Sequence, residues 1–448
     1  MSGERESPFP EYYYCGNTGE FKIDFDECSG NEPRGEFDFL DHAPATSHGT
    51  YLDGVNEGLE PLEDYQPGGF HPVHLGDTLG PSQRYRVIHK LGHGGFGTVW
   101  LCRDTQDSGY VAVKVMVEEA KQHDVQDLLI KNLDRSVPGA DNIAIPLDSF
   151  SMDGPNGSHQ CIVLPVLGPC VSPNLWLQLE KDPGPILRKM SYQAVLAMKW
   201  LHTNGFCHGD FRPSNILVKL NDLNHLSEEQ LLSLLGHPEK AYVRTESGED
   251  LPASSPQYLI LPADISRLGS KYLSEEICII DFGEVFPILS PPEDLGIPEN
   301  YLPPEVLLEQ ENAIGPACDI WALECTLFEI RQQVPLFYMI YDIDELLAEM
   351  IRLFGKPLPA WWDKWEARED FFDDQGKWLR GRADTQELSL EVVLNNLVEI
   401  VAPEMKKLIT SKKEQGLMAD LLHKILAYDP EQRLSVDGVL NHEWFKME

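Results

Sequence analysis

Residues 207–217 have the sequence CHGDFRPSNIL and lie between a helical pattern and an apolar strand. Asp210 is followed five residues later by Asn215, with Arg212 between them. A carboxylate at the first position can receive or orient an attacking hydroxyl, and an amide oxygen at the second can bind a hard divalent cation. Arg212 would neutralise charge on a transferred phosphoryl group. The pattern therefore indicates phosphoryl transfer, and we interpret His208 as a packed structural histidine.

A glycine cluster lies upstream, within three strand-like runs between residues 85 and 116. It has the sequence GHGGFG at 92–97 and is followed by Val111-Ala112-Val113-Lys114. By themselves the glycines are equally compatible with an ordinary hairpin turn. A strand rather than a helix follows them, which argues against a Rossmann dinucleotide site. A glycine loop between two strands, followed by a lysine, lays backbone N–H groups over nucleotide phosphates, with Lys114 reaching the α- and β-phosphates.

A third pattern lies downstream, where residues 277–283 have the sequence ICIIDFG. It predicts a buried strand that ends in an acid, an apolar residue and a glycine. Asp281 would complete a magnesium site with Asn215, because Mg²⁺ prefers oxygen ligands. Each pattern can occur alone by chance, but their order along one chain makes coincidence a poor explanation.

The order of predicted elements indicates an α+β fold of two lobes with a nucleotide cleft between them. The β-rich N-lobe covers about 85–166 and contains one helix candidate at 124–133, whereas helical spacing dominates the C-lobe, about 169–445. Both lobes belong to one domain at 67–445. Residues 219–275, rich in Ser, Pro and Glu, form an insertion within it, with a short helix predicted over 227–235 and Ser227 as its cap.

Composition constrains the partners and the compartment. The 448 residues include 36 Lys and Arg against 73 Asp and Glu, a net charge of −37. This charge argues against direct nucleic-acid binding and favours cationic partners. Nine cysteines without a CxxC pair indicate reduced thiols, and no apolar run suggests a signal peptide or membrane span. We therefore expect a soluble cytoplasmic and nuclear protein without a membrane partner.

The first 66 residues form a separate acidic region. Gly and Pro interrupt this segment and no apolar period persists, so residues 1–66 are predicted to be a largely disordered extension. Its many aromatic residues leave open that parts of it pack on the folded body.

These motifs resemble the protein kinase superfamily over about 84–445. The sequence PPE at 303–305 resembles the end of a kinase activation segment, and DIW at 319–321 resembles the start of a buried C-lobe helix. The resemblance pairs Arg433 with Glu305. Within the superfamily the chain resembles the SR-protein-specific kinases, especially the fungal ones. The segment 65–77, the spacer-like insertion at 219–275 and the hinge-like run VLPVLG at 163–168 carry this likeness.

The resemblance implies ATP and Mg²⁺ as cofactors and assigns roles to particular residues. Asp210, Arg212 and Lys114 would be catalytic, and Asn215 and Asp281 would bind the metal. Leu164 would be the gatekeeper, with Pro165 and Leu167 offering backbone groups to adenine. The full set expected around ATP is Leu91, Gly92, Gly94, Gly95, Gly97, Val99, Ala112, Lys114, Leu164, Pro165, Leu167 and Leu217.

Three departures from the kinase pattern carry their own expectations. Gly209 replaces an arginine that commonly contacts a phosphorylated activation loop, which predicts activity without that phosphorylation. Arg212 replaces the usual lysine, so the charge is kept but the geometry changes. In the predicted N-lobe helix, Gln126 stands where kinases have the glutamate that pairs with the lysine. The acidic residues considered as substitutes for it are Asp124, Asp127, Glu118 and Glu119.

The leading hypothesis is a monomeric serine/threonine kinase that phosphorylates basic Arg/Ser-rich proteins, with a role in the regulation of mRNA splicing. One alternative is a pseudokinase that binds basic proteins in a nucleotide-gated manner. Another is a small-molecule phosphotransferase of the aminoglycoside or choline kinase kind, which should lack the PPE and DIW motifs. The segment 355–374 alternates acids with tryptophans. These tryptophans either stack guanidinium groups or pack inward beneath an acidic loop.

Overall fold

The computed structural model describes residues 45–54, 57–118, 128–338, 340–373, 375–379, 390–394, 408 and 410–447. The N-lobe is built on a six-stranded antiparallel sheet in the order β2-β3-β4-β5-β7-β6. Its strands are β2 Thr78–Leu79, β3 Tyr85–Gly94, β4 Gly97–Asp104, β5 Tyr110–Met116, β6 Asp148–Gly154 and β7 Gly157–Pro165. Val87, Trp100, Val113 and Val163 pack together in one buried cluster, as expected of β-branched and aromatic residues on a sheet face.

The C-lobe is mainly helical and is centred on α4, which is buried along nearly its whole length. The described α-helices are α1 Pro183–Thr203, α2 Glu228–Leu235, α3 Pro304–Leu307, α4 Pro316–Gln332, α5 Ile343–Phe354, α6 Pro359–Lys364, α7 Arg368–Phe371, α8 Lys412–Ile425 and α9 Val436–Leu440. Residues 128–130 and 390–394 are also helical. Helix α1 begins where Asp182 accepts a hydrogen bond from the Gly184 amide, which satisfies one of the free N–H groups of the first turn. The predicted division into a β-rich and an α-rich lobe is confirmed.

Two small sheets lie at the junction of the lobes. β8 Leu167–Cys170, β10 Ile216–Leu220 and β13 Leu273–Ile279 pair in the order β13-β10-β8. β9 Phe206–Cys207 pairs with β14 Phe286–Pro287. Because β9, β10, β13 and β14 flank residues 208–215 and 281–285, they place these two loops side by side.

The insertion is folded and contains α2, at the position predicted from the sequence. Ser227 caps this helix in a capping box with Gln230, each side chain bonding the backbone of the other. Leu231 and Leu235 of the helix pack against Ile88 and other buried residues of the N-lobe sheet. The insertion is therefore attached to the N-lobe through an apolar contact.

The extension also has an ordered part, within 45–54 and 57–66. β1 Thr50–Leu52 pairs with β11 Lys240–Thr245 of the insertion, which pairs in turn with β12 Tyr258–Ile260. Leu52 and Tyr65 of the extension are buried in one cluster with Val243 and Leu259. These parts of the acidic segment pack on the folded body, and residues 1–44 lie outside the described residues.

The remaining predictions about the chain concern its cysteines, its tryptophans and membranes. The described cysteines are buried thiols that form no disulfide with one another: Cys102, Cys161, Cys170, Cys207, Cys278, Cys318 and Cys325. Trp361, Trp362 and Trp365 are buried, which confirms the interpretation that they pack inward. Among the helices of the described ranges, none is both long and apolar enough to span a bilayer.

Candidate active site

The loop at residues 208–215, here called the catalytic loop, forms a tight set of hydrogen bonds around Asp210. One carboxylate oxygen of Asp210 accepts from Arg212 Nε at 2.8 Å, and the other accepts from Asn215 Nδ2 at 2.7 Å. Asn215 Nδ2 also donates to the Asp210 carbonyl at 2.9 Å. Since the amide nitrogen of Asn215 is used in this way, its amide oxygen is the atom that can face a cation. The loop thus presents a carboxylate, a guanidinium and an amide oxygen together.

Asp281 lies next to this loop because the backbones of the two segments pair. The Ile280 amide donates to the Asn215 carbonyl at 2.9 Å, and β10 pairs with β13 just before it. Asp281 then leaves the strand with φ at +59°, a left-handed conformation that aspartate tolerates better than most residues. Its Oδ1 accepts from Lys114 Nζ at 3.0 Å. Lys114, Asp210, Asn215 and Asp281 are therefore brought together in one site.

The glycine cluster forms the hairpin between β3 and β4, with Gly94 opposite Gly97. A Cβ added at Gly97 would lie 2.3 Å from the Val115 carbonyl oxygen, so only glycine fits against β5 there. An added Cβ at Gly92 or Gly95 would meet nothing within 4 Å, so both glycines border open space. Such a surface leaves backbone N–H groups accessible to a phosphate chain.

The apolar residues expected around adenine line up across neighbouring strands. Ala112 on β5 lies opposite Leu164 on β7, and Lys114 lies between Val99 and Ile162. The other predicted members lie at the end of β3, at the end of β7, in β8 and in β10; they are Leu91, Pro165, Leu167 and Leu217. Most of this set is only half-buried; its partly exposed members are Leu91, Val99, Leu164, Pro165, Leu167 and Leu217. The set therefore has free apolar surface, as a binding cleft requires.

The pKa values of the two carboxylates in the site, Asp210 and Asp281, are shifted in opposite directions. Burial raises the pKa of Asp210 above its ordinary value, although the Arg212 charge opposes this shift. The ammonium of Lys114 lowers the pKa of Asp281, which keeps that carboxylate ionised. Asp210 is therefore the better proton acceptor of the two, and Asp281 the better cation ligand.

Asp319, at the start of α4, binds the backbone of the catalytic loop through hydrogen bonds. Its carboxylate accepts from the His208 and Gly209 amides at 2.7 and 3.1 Å and lies 3.0 Å from His202 Nε2. His208 is fully buried against Phe211 and Phe282, in agreement with its structural interpretation. The DIW motif marked Asp319 in the sequence, but its bonds to the loop could not be seen there.

The structure gives a steric reason for the glycine at position 209, which the sequence did not reveal. Its φ is +79°, and an added Cβ would lie 2.3 Å from the Glu284 carbonyl oxygen. The backbone of residues 281–305, which correspond to the activation segment of kinases, thus occupies the space that a side chain at position 209 would need. Glycine is required there by both conformation and contact.

The activation segment is joined to the C-lobe by two buried interactions. Glu305 and Arg433 form a bidentate pair with both N–O distances at 2.6 Å, which confirms the predicted pairing. The Tyr301 hydroxyl donates to Glu329 of α4 at 2.5 Å, and Ser172 donates to the same carboxylate. The Tyr301 hydroxyl is therefore engaged inside the protein, while Ser290 is exposed.

Glu118 is the described member of the set of residues considered for the N-lobe glutamate. Gln126, Asp124, Asp127 and Glu119 lie outside the described residues. Glu118 accepts from the Ser158 amide at 3.5 Å and lies against Gly157, at the turn between β6 and β7. The pseudokinase alternative rests on the register at 124–131, and residues 124–127 of this stretch lie outside the described residues.

The donor set fits a hard divalent cation. Asp281 offers an ionised carboxylate and Asn215 an amide oxygen, and both are oxygen ligands of the kind such cations prefer. Lys114 provides a fixed positive charge beside them. The chemistry of the site is that of a nucleotide-dependent phosphotransferase.

Comparison with known proteins agrees with this class. The protein kinase domain family matches residues 85–227 and 270–445, so the chain belongs to the protein kinase family. The gap between the two matched parts falls within the insertion. Kinases of this family use ATP and a divalent metal ion, which the cleft described above can accommodate.

The individual relatives indicate which kind of protein kinase the chain is. A serine/threonine-protein kinase SRPK of Physarum polycephalum is 28% identical over 418 residues, covering 88% of this chain and 92% of that protein. A serine/threonine protein kinase of Aspergillus fumigatus is 28% identical over 411 residues, covering 90% and 94%. Human SRSF protein kinase 3 is 35% identical over 181 residues, covering 38% and 31%. The chain is a serine/threonine protein kinase that resembles the SRPK family.

Proposed function

We propose that the chain transfers the γ-phosphoryl group of ATP, with Mg²⁺, to serines in basic Arg/Ser-rich protein segments. The observation that carries the proposal is the placement of Asp210 between Arg212 and Asn215, beside the Lys114–Asp281 ion pair. This constellation has a base, a metal-ligand pair and two cations within one connected set of contacts.

Each residue has a defined task in this reaction. Asp210 orients the serine hydroxyl and receives its proton as the oxygen attacks the γ-phosphorus. The bond between that phosphorus and the β,γ-bridging oxygen breaks, and ADP leaves. Asn215 and Asp281 would hold Mg²⁺, which neutralises phosphate charge when bound. Lys114 fixes the α- and β-phosphates, and Arg212 stabilises the charge of the transferred group.

The preference for Arg/Ser-rich substrates is supported by charge and by the relatives. A chain with a net charge of −37 attracts basic segments, and such attraction weakens as salt screens it. One of the relatives is named for SRSF proteins. The engaged hydroxyl of Tyr301 and the steric need for Gly209 support activity without phosphorylation of the activation segment. We further propose a monomeric enzyme of the cytoplasm and nucleus.

The test is phosphate transfer from labelled ATP to an Arg/Ser peptide, compared with a peptide whose arginines are glutamines. We expect transfer to the first peptide, little transfer to the second, and a rate that falls with added salt. Asp210→Asn should lower kcat by about a thousandfold with an unchanged Tm, because the base is lost but the shape is kept. Glu249→Gln, at an exposed position of the insertion, is the matched control. Equal transfer by Asp210→Asn would refute the assignment of the base.

A further inference from the structure

Lys90 lies on β3, two residues before the first glycine of the hairpin, and its ammonium group is completely buried. It forms an ion pair with Glu60 of the extension, whose side chain is only 1% exposed. The Tyr65 hydroxyl donates to the other Glu60 oxygen at 2.7 Å. The indole ring of Trp100 lies 5.7 Å from the ammonium nitrogen. A basic residue at the base of the glycine hairpin is thus held by an acid from outside the matched kinase domain.

Two further contacts join the same part of the hairpin to its surroundings. His93 Nε2, inside the glycine cluster, lies 3.4 Å from the Gly58 carbonyl oxygen. The Ala263 amide, from the insertion, donates to the Lys90 carbonyl at 2.9 Å. Strand β3 therefore contacts the extension through the side chain of Lys90 and the insertion through the carbonyl group of Lys90.

The burial of this pair makes it a strong constraint on position. A buried charge without a partner costs several kcal/mol, so Lys90 must remain where Glu60 can reach it. In contrast, a Cβ added at Gly92 or Gly95 would meet nothing within 4 Å, so no side-chain packing fixes these two positions. At the other end of the hairpin the Val117 amide donates to the Phe96 carbonyl at 3.0 Å. The ion pair at the base is therefore one of the contacts that set the position of the hairpin over the cleft.

We propose that residues 57–65, here called the strap, position the glycine hairpin over the nucleotide, and that Glu60 is the positioning residue. This role rests on the proposed nucleotide site, since the hairpin must cover bound ATP for its position to matter. Without the strap the hairpin samples other positions, and ATP binds only to the fraction of molecules in which it is correctly placed. The apparent affinity for ATP falls by that fraction.

The principal variant is Glu60→Gln, which keeps the size of the side chain but removes its charge. If the hairpin is correctly placed in about one fifth of the variant molecules, KM for ATP rises about fivefold while KM for the peptide stays unchanged. Amide hydrogen exchange should increase at residues 90–97 and remain unchanged in α4 and α8. Glu60→Asp, which restores the charge, should recover part of the ATP affinity.

A merely structural role for Glu60 would lower stability without changing KM for ATP. Unfolded molecules reduce the number of active enzymes and hence the apparent kcat, not the KM of those that remain folded. Leu421→Ala, a cavity variant at a fully buried position of α8, is the matched control. It should lower Tm to a similar extent as Glu60→Gln and leave KM for ATP at the wild-type value.

Tyr65→Phe provides a second variant, should Glu60→Gln fail to fold. It removes only the hydroxyl that orients Glu60, so KM for ATP should rise about twofold with a small change in Tm. Wild-type KM for ATP and wild-type exchange at 90–97 in the folded variants would overturn the strap proposal. Failure of the wild-type protein to bind ATP would instead overturn the proposed function, so the two failures are distinguishable.

Discussion

Glu324, in the middle of α4, is a deeply buried carboxyl group. It is completely buried, and neither of its oxygens has a hydrogen-bond partner within the described residues. Burial raises its pKa from 4.5 to about 8. The folded protein therefore keeps this group protonated at neutral pH, whereas the unfolded chain releases the proton.

The direction of the pH effect follows from this shift. The folded state binds the proton more tightly than the unfolded state, so stability is greatest below the unfolded pKa. It falls as the pH rises from about 4.5 towards 8, because unfolding then releases a proton. With those two pKa values, the free energy of unfolding should fall by about 2 kcal/mol between pH 6 and pH 8.

The assay is urea unfolding at pH 6 and pH 8 for wild type, Glu324→Gln and Glu324→Met. The other titrating groups, including the histidines, contribute equally to all three proteins, so the difference between the curves isolates Glu324. Both variants should lose about 2 kcal/mol less stability than wild type between the two pH values. At pH 8 Glu324→Met should be more stable than wild type, because an apolar side chain of similar size needs no partner.

The comparison has a clear negative outcome. If wild type and Glu324→Gln lose the same free energy between pH 6 and pH 8, Glu324 does not titrate in this range. The reasoning from burial to protonation would then be wrong. A lower stability of Glu324→Met at pH 8 would show in addition that the carboxyl group makes a favourable contact.

Two further predictions concern the catalytic loop and the activation segment. Gly209→Arg should destabilise the fold by at least about 2 kcal/mol and lower kcat, since its φ of +79° and the Glu284 carbonyl both exclude a side chain. Gly205→Ala is the control, because its φ is also positive, at +85°, but an added Cβ would meet nothing within 4 Å. It should lower the free energy of unfolding by only about 1 kcal/mol. An equal loss in both variants would contradict the argument that the Glu284 carbonyl excludes a side chain. Arg433→Lys should cost about 2 kcal/mol in urea unfolding, because the bidentate pair is lost. Arg244→Lys, whose side chain is 58% exposed, should change stability by less than about 0.5 kcal/mol, and equal effects would refute the role of burial.

The sequence predicted contacts well where the residues belong to one short motif. Asp210 and Asn215 are close in the chain, so their contact follows from the local turn. Glu305 and Arg433 are 128 residues apart in the chain, and their pairing was predicted only through the resemblance to kinases. The α2 helix was predicted because Ser227 and the apolar spacing after it are both local signals.

Contacts between distant segments were the part that local patterns could not give. Nothing near Lys90 indicates that its ammonium is buried, since lysine is usually exposed, and Glu60 is one of many acids in the extension. Composition favoured disorder for most of residues 1–66. A pairing such as Thr50 with Thr245 joins two polar segments whose apolar residues become a core only when combined. Each segment alone has too few apolar residues to reveal this.

The departure at Gly209 takes on a different meaning once the contacts are known. From the sequence it was a lost arginine, and the expected consequence was independence from activation-loop phosphate. In the structure the space is filled by the Glu284 backbone, while Asp319 holds the loop through two amide hydrogen bonds. Pairing of β9 with β14 adds main-chain bonds between the same two segments. Main-chain contacts therefore occupy the place where other kinases use an arginine and a phosphate, which supports the proposal that this activation segment is held without phosphorylation.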